Sequence, residues 1–338
     1  MATATKSYHA ELVGAMVLRS SCRGTVTSRY REALNVLLEE GLLLSLVAHR
    51  SQMTALSVLV PHLFRPPGGA SVPEGSVLRR RPQGLVFAEA AAWRQESAVG
   101  GNGSRVAGPH IVLLAGAPRW SGRLEPGALR HLTPDRLPLL ARALALRGRA
   151  GGLLGLVGLE GRGPGAAARG SGTPAEPGNP FQRRAEGLLQ QLSVAGDPPL
   201  LRGLGKLVGL GPGFTPAGDD FLAGALLGEE ALQRPRPRAR GDAEDRPEGW
   251  PPGQLRAARE EIEAELPGTN AGGRTLLCQA LRGRFPAYLL GAVRGIAQAR
   301  SLEEMSRVVE SAATHGETSG TDALAGLLWY LRLRLTRR

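Results

Sequence analysis

The sequence predicts an α+β protein. A β-rich domain, barrel- or sandwich-like, occupies residues 1–130, and a mainly α-helical domain follows over 131–338. Three observations carry this. Short apolar runs punctuated by Gly and Pro fill the N-terminal part. After Pro134 the apolar residues recur at helical spacing instead. The length of 338 residues, at roughly 150 per domain, leaves room for about two domains.

In the first domain, Glu11–Arg19, Gly41–Ala48, Met53–Val60, Gly84–Ala88 and Ile111–Leu114 are strand-length apolar runs. Turns are marked by Pro66–Gly69 and Gly100–Gly103, and Tyr30–Glu40 reads either as a strand or as one helix. In the second domain, helices are predicted over Leu137–Leu146, Phe181–Val194, Asp219–Leu232, Gln254–Leu266, Arg274–Leu281, Tyr288–Ala299, Leu302–Ala313 and Asp322–Leu335. The last carries Leu324, Leu327, Leu328, Leu331 and Leu335 at helical spacing, a stripe expected in the core. Two Gly/Pro/Arg-rich segments, near 160–180 and 234–253, have no periodic pattern and read as flexible inserts. Deleting residues 236–250 is therefore expected to move the melting temperature by less than about 5 °C; a larger drop in a thermal scan would make the segment part of the fold.

Composition excludes several functions. The net charge is +12, yet the 42 basic residues include only two lysines, Lys6 and Lys206. Arg, Gly, Pro and Ala share GC-rich codons, so this mixture needs no polyanion to explain it. Aromatic residues for stacking on bases make up only 4%, and no nucleic-acid partner is expected. Cys22 and Cys278 are too far apart for a metal knuckle or a disulfide framework. No apolar run reaches the roughly 20 residues that span a bilayer. Met1–Gly14 lacks the basic flank and apolar centre of a secretory signal, so a cytoplasmic protein without a membrane partner is expected.

The chemistry concentrates in two places. Gly209-Leu-Gly-Pro-Gly-Phe-Thr-Pro-Ala-Gly-Asp-Asp-Phe-Leu-Ala-Gly224 places four glycines before an apolar helix that opens with Asp219 and Asp220. Such a turn exposes backbone N–H groups. An Asp at a helix start also has a purely structural use as a cap, which accounts for one of the pair. Two carboxylates disfavour a naked anion, so a ligand here should bring a cation or N–H donors. Mg2+ with a phosphate, or an amide-bearing substrate, would suit. The second place, Thr314-His-Gly-Glu-Thr-Ser-Gly-Thr-Asp-Ala-Leu-Ala-Gly326, echoes the first. Gly218–Gly224 aligns with Gly320–Gly326, putting Asp220 and Asp322 in equivalent positions, and His315 stands beside the turn. The two turns are expected to line one cleft. GxxxxGK[ST], HExxH and GxSxG are all missing from the chain.

At these stretches the sequence resembles the AllH-type subunit of oxamate carbamoyltransferase. The family's run G-x-G-x-G-x-T-P-x-G-D-D-x-L-x-G stands complete from Gly209 to Gly224, and a later G-x-[ST]-S-G-x-D-x-L-x-G run matches Gly316–Gly326. Gly24–Asn35 and the stretch from Thr269-Asn270 to Gly283 are weaker matches. The resemblance implies a part in allantoin breakdown, where oxalurate and phosphate give oxamate and carbamoyl phosphate. It also implies two other carbamoyltransferase subunits as partners. On that reading Asp219, Asp220, His315 and Asp322 are candidate catalytic residues. Gly211, Gly213, Thr215, Gly218, Thr318, Ser319, Gly320, Arg274 and Asn35 are candidate substrate-binding residues. Mg2+ is the one candidate cofactor, with no ligands assigned. A non-catalytic assembly subunit and a small-molecule sensor are the alternatives.

Overall fold

The structure is a computed structural model that describes residues 6–21, 23–64, 72–89, 110–125, 127–158, 179–194, 202–233 and 255–336. The turns Pro66–Gly69 and Gly100–Gly103 lie outside these residues, as do both inserts apart from Asn179 and Pro180. The chain divides into two compact units, residues 1–122 and 123–338.

The first unit is built on one curled ten-stranded sheet, a half-barrel. Its strands are β1 (Lys6–His9), β2 (Leu12–Gly14), β3 (Gly24–Arg29), β4 (Ala33–Leu38), β5 (Leu43–Val47), β6 (Ser57–Leu59), β7 (Val77–Arg81), β8 (Gly84–Ala88), β9 (His110–Leu113) and β10 (Arg119–Trp120). They lie in the order β1-β9-β8-β7-β3-β4-β5-β6-β2-β10. The ambiguous stretch Tyr30–Glu40 is the strand β4, paired antiparallel with both β3 and β5. Alternation explains it: Leu34, Val36 and Leu38 are buried against Leu44, Leu46 and Val58, while Leu37 on the opposite face is 37% exposed. Gly41, at φ 76°, makes the tight turn into β5.

The second unit is helical: α1 (Leu137–Arg147), α2 (Pro180–Val194), α3 (Ala217–Leu232), α4 (Arg256–Glu265), α5 (Ala271–Leu281), α6 (Ala287–Gln298), α7 (Leu302–Ala313) and α8 (Ser319–Leu335). Local chemistry fixes several starts. Asn179 accepts from the Gln182 N–H ahead of Pro180, Asn270 accepts from Gly273, and Ser301 accepts from Glu304. Leu324, Leu327, Leu328 and Leu331 are buried as the stripe predicts, while Leu335 is half-buried. An ion pair inside this unit, Arg259 to Glu229 at 2.8 Å, ties α4 to α3. The same guanidinium also holds the Leu281 carbonyl at the end of α5.

The centre of the unit is the pair α3 and α8. They run side by side in the same sense, since their starts touch and Gly228, further along α3, lies against Leu327 and Tyr330. Their contact is reciprocal. The backbone of Ala323 fills the space where Gly224 would carry a Cβ, and the backbone of Phe221 does the same at Gly326. Phe221 and Ala323 hold equivalent places in the two sequence repeats, so the pair has a local two-fold relationship. Gly218 and Gly320, each six residues earlier, are also closely packed, on the carbonyls of Leu207 and Ala312.

Candidate functional site

The glycine turn before α3 is held in left-handed conformations at Gly209, Gly211 and Gly213 (φ 71°, 103° and 111°). A side chain would be strained at each. Gly218 gives its N–H to the Leu210 carbonyl. One side of the turn, Val208–Pro212, lines a depression of about 380 Å³ together with Phe181, Arg184 and Lys206. Neither Asp220 nor Asp322 reaches that depression.

The two adjacent aspartates part company. Helix α3 starts at Ala217 behind Pro216, so neither Asp is its N-cap, contrary to the capping use open to them in the sequence. Asp219 turns back to the loop, accepting from the Gly209 N–H at 2.8 Å and from the Thr269 hydroxyl. It fastens the glycine turn to the start of α5. Asp220 is one residue, hence about 100°, further round the helix. It faces α8, with the Thr215 hydroxyl donating to its Oδ2 at 2.9 Å. Thr215 Oγ1 also lies 2.9 Å from Ser319 Oγ in the second motif, and the Ser319 hydroxyl stands beside the Asp220 carboxyl. The two turns thus meet in one polar cluster.

Asp322, fully buried, occupies the place on α8 that Asp220 has on α3. Its Oδ1 accepts the Leu153 N–H at 2.6 Å. Its Oδ2 makes no hydrogen bond among the described residues. The backbone of Gly152 lies over both oxygens, leaving no room for a Cβ there. Thr318, half-buried at the cap of α8, has its hydroxyl beside this carboxyl. His315, also half-buried, stacks on Tyr288 of α6 with ring centroids 4.3 Å apart and planes 10° from parallel. Tyr288 in turn feels the charges of Asp220 and Asp322.

Burial sets the protonation of this cluster. It drives the Asp220 carboxyl well above the usual carboxylate range, the Ser319 and Thr215 hydroxyls oppose it, and the charges of Asp322 and Asp219 add to it. Burial also raises Asp322, to about 6, with the Leu153 N–H and the Thr318 hydroxyl holding it down. Asp219 is raised by burial against the bonds from Thr269 and Gly209. Burial pushes the Tyr288 phenol up and the His315 imidazole down, so both stay neutral near pH 7.

The remaining candidates lie elsewhere or are engaged. Arg274, on α5, points its guanidinium at the carbonyls of Leu266 and Thr269. The Gly320 N–H goes to the His315 carbonyl. Asn35 belongs to the sheet unit, where its amide bonds Ser28 and Ser45 on the flanking strands. Among the described residues no group of three or more His, Cys, Asp or Glu side chains stands where it could hold a metal ion. Among them, too, no helix is long and apolar enough to cross a membrane. Sequence reasoning missed Tyr288, Leu153 and Gly152. Only the Gly151-Gly152 pair carries a signal, since a double glycine marks close backbone approach.

Comparison with curated proteins and with solved structures gave no match. A family model does match, and its span takes in the glycine turn, all of α3, α8 as far as Leu331, and every member of the cluster except the Gly152–Leu153 backbone; Gly24–Asn35 lies outside it. Over residues 207–331 the chain is similar to the family described as oxamate carbamoyltransferase subunit AllH.

Proposed function

We propose that this chain is a subunit of a carbamoyltransferase of allantoin (purine nitrogen) catabolism, acting with two other subunits on oxalurate, phosphate, oxamate and carbamoyl phosphate. One observation supports it most: Thr215 joins Asp220 to Ser319, so both motif turns contribute to a single cluster beside Asp322. In the reaction a phosphate oxygen attacks the carbamoyl carbon, and the bond from that carbon to the oxamate nitrogen breaks. Phosphate loses one proton and the leaving nitrogen gains one. A buried carboxyl raised well above its usual range and an imidazole lowered by burial suit such an exchange. In this reading Asp220 holds the proton for the nitrogen and passes it through the Thr215 and Ser319 hydroxyls. Neutral His315 takes the proton from phosphate. Arg149, whose Nη1 holds the Gly316 carbonyl at 2.9 Å, puts an exposed guanidinium on the second turn for the phosphate. Asp219 keeps the loop in place. No step here uses Mg2+.

The test is carbamoyl phosphate formation from oxalurate and phosphate by the chain with its two partner subunits. Asp220→Asn is expected to lower kcat at least about 100-fold, the scale of a lost general acid, with the chain still folded and assembled. Unchanged turnover would return the chain to an assembly role. Ligand binding without turnover in any mixture would make it a sensor.

A further inference from the structure

We propose that Asp322 Oδ2 is the acceptor for a substrate N–H, so that the NH2 end of a carboxamide or ureide enters between the two motif turns; this rests on the carbamoyl-transfer reading. The oxygen belongs to a fully buried side chain and has no partner among the described residues. Buried acceptors in folded proteins are nearly always satisfied, so an orphan marks a missing donor. The surroundings say which kind. The second oxygen of the same carboxyl is taken by the Leu153 N–H, so a guanidinium fork cannot be received. Metal-binding geometry is not assembled there among the described residues. An anion would meet a carboxylate. The Thr318 hydroxyl beside the carboxyl, the Thr215 and Ser319 hydroxyls of the two turns and the Tyr288 ring are uncharged and belong to half-buried residues, so a neutral group suits this end of the two helices better than an ion. One free oxygen among neutral walls fits one N–H of an amide. The carboxylate or phosphate end of the same molecule then stays at the rim, where Arg149 is exposed.

Calorimetric titration of the assembled complex with oxamate and with oxalate tests this, because oxalate puts an oxygen where oxamate has NH2. Wild type is expected to bind oxamate at least tenfold more tightly than oxalate. Asp322→Asn keeps the Leu153 bond through its carbonyl but presents NH2 to the ligand, so the preference should reverse. A purely structural Asp322 would weaken both ligands alike, and that result, equal binding of the two by wild type, or no detectable oxamate binding, overturns the inference. Should Asp322→Asn fail to fold, Gly152→Ala replaces it: its Cβ crowds both carboxyl oxygens without changing their charge. It should abolish oxamate binding, and retained binding counts against the inference. If the preference is seen but no subunit mixture forms carbamoyl phosphate, the transfer reading fails and this inference stands. If transfer occurs without the preference, the inference alone fails.

Discussion

Replacing Gly224 or Gly326 by Ala is expected to destabilise the helical unit severely, and each change should do so by itself. The new Cβ meets backbone, the carbonyl of Ala323 in one case and of Phe221 in the other, so no side chain can swing aside. Moving the helices apart would break the reciprocal contact and separate Thr215 from Ser319. Overpacking costs about 1–3 kcal/mol and sometimes more, against a gain of up to about 1 kcal/mol because Ala forms helix better than Gly. A net loss of about 2 kcal/mol or more is expected in urea unfolding, with oxamate binding lost as well. Gly291, in α6 with open space where a Cβ would go, is the control. Gly291→Ala should be neutral or stabilise by up to about 1 kcal/mol. If all three variants behave alike, the crossing does not depend on close approach.

Asp322→Asn is expected to stabilise the fold at pH 8 while it impairs binding. The carboxyl titrates at about 6 in the folded chain, above the ordinary value of 3.8 that it regains on unfolding. Below pH 4 both folded and unfolded states carry the proton and no penalty is felt. As pH rises through 6 the buried carboxyl must ionise, and stability falls. The full difference is about 3 kcal/mol, since each pH unit between the two values is worth roughly 1.4 kcal/mol. Asp220, which faces the same cluster and is raised the same way, adds to the wild-type slope but is present in both proteins. The check is urea unfolding of wild type and variant at pH 4.5 and pH 8. The advantage of Asn should grow by about 2–3 kcal/mol between them. A difference that does not change with pH would mean that ionised Asp322 is fully compensated in the fold.

The motif helices were legible because their pattern is local. A polar glycine turn, an Asp and an apolar run with two small residues one turn apart can be read without knowing what they pack on. Gly224 and Gly228, four residues apart on one helix face, signal close packing, although the sequence does not name the backbone they meet. Strands β1 and β7 escaped notice because Lys6-Ser-Tyr-His9 and Val77-Leu-Arg-Arg-Arg81 have too few apolar positions to alternate. They are strands because β9 and β8 supply their ladders. Tyr30–Glu40 was undecidable for the opposite reason: Ala33, Leu34, Val36, Leu37 and Leu38 satisfy either period, and only the flanking strands choose. The split between Asp219 and Asp220 needed the helix start at Ala217, which fixes the side of α3 each one faces. Tyr288 carries no motif, and only the stacking of His315 on it brings it to the cluster.

The parallel course of α3 and α8 has an electrical consequence. Neighbouring helices that run in opposite directions cancel one another's dipoles, whereas two that start together add theirs. Each helix start is equivalent to roughly half a positive charge, so about one whole positive charge is concentrated where Thr215 meets Ser319. The side chains nearest that point in each first turn are acids, Asp219 and Asp220 on α3 and Asp322 on α8. Burial holds these carboxyls back from ionising, so the counter-charge that the fold itself supplies there is incomplete. Neutralising both Asp220 and Asp322 would leave two helix starts facing each other with nothing between them. A fold that keeps these helices parallel is one in which negative charge, from a side chain or from a ligand at the rim, belongs at that end.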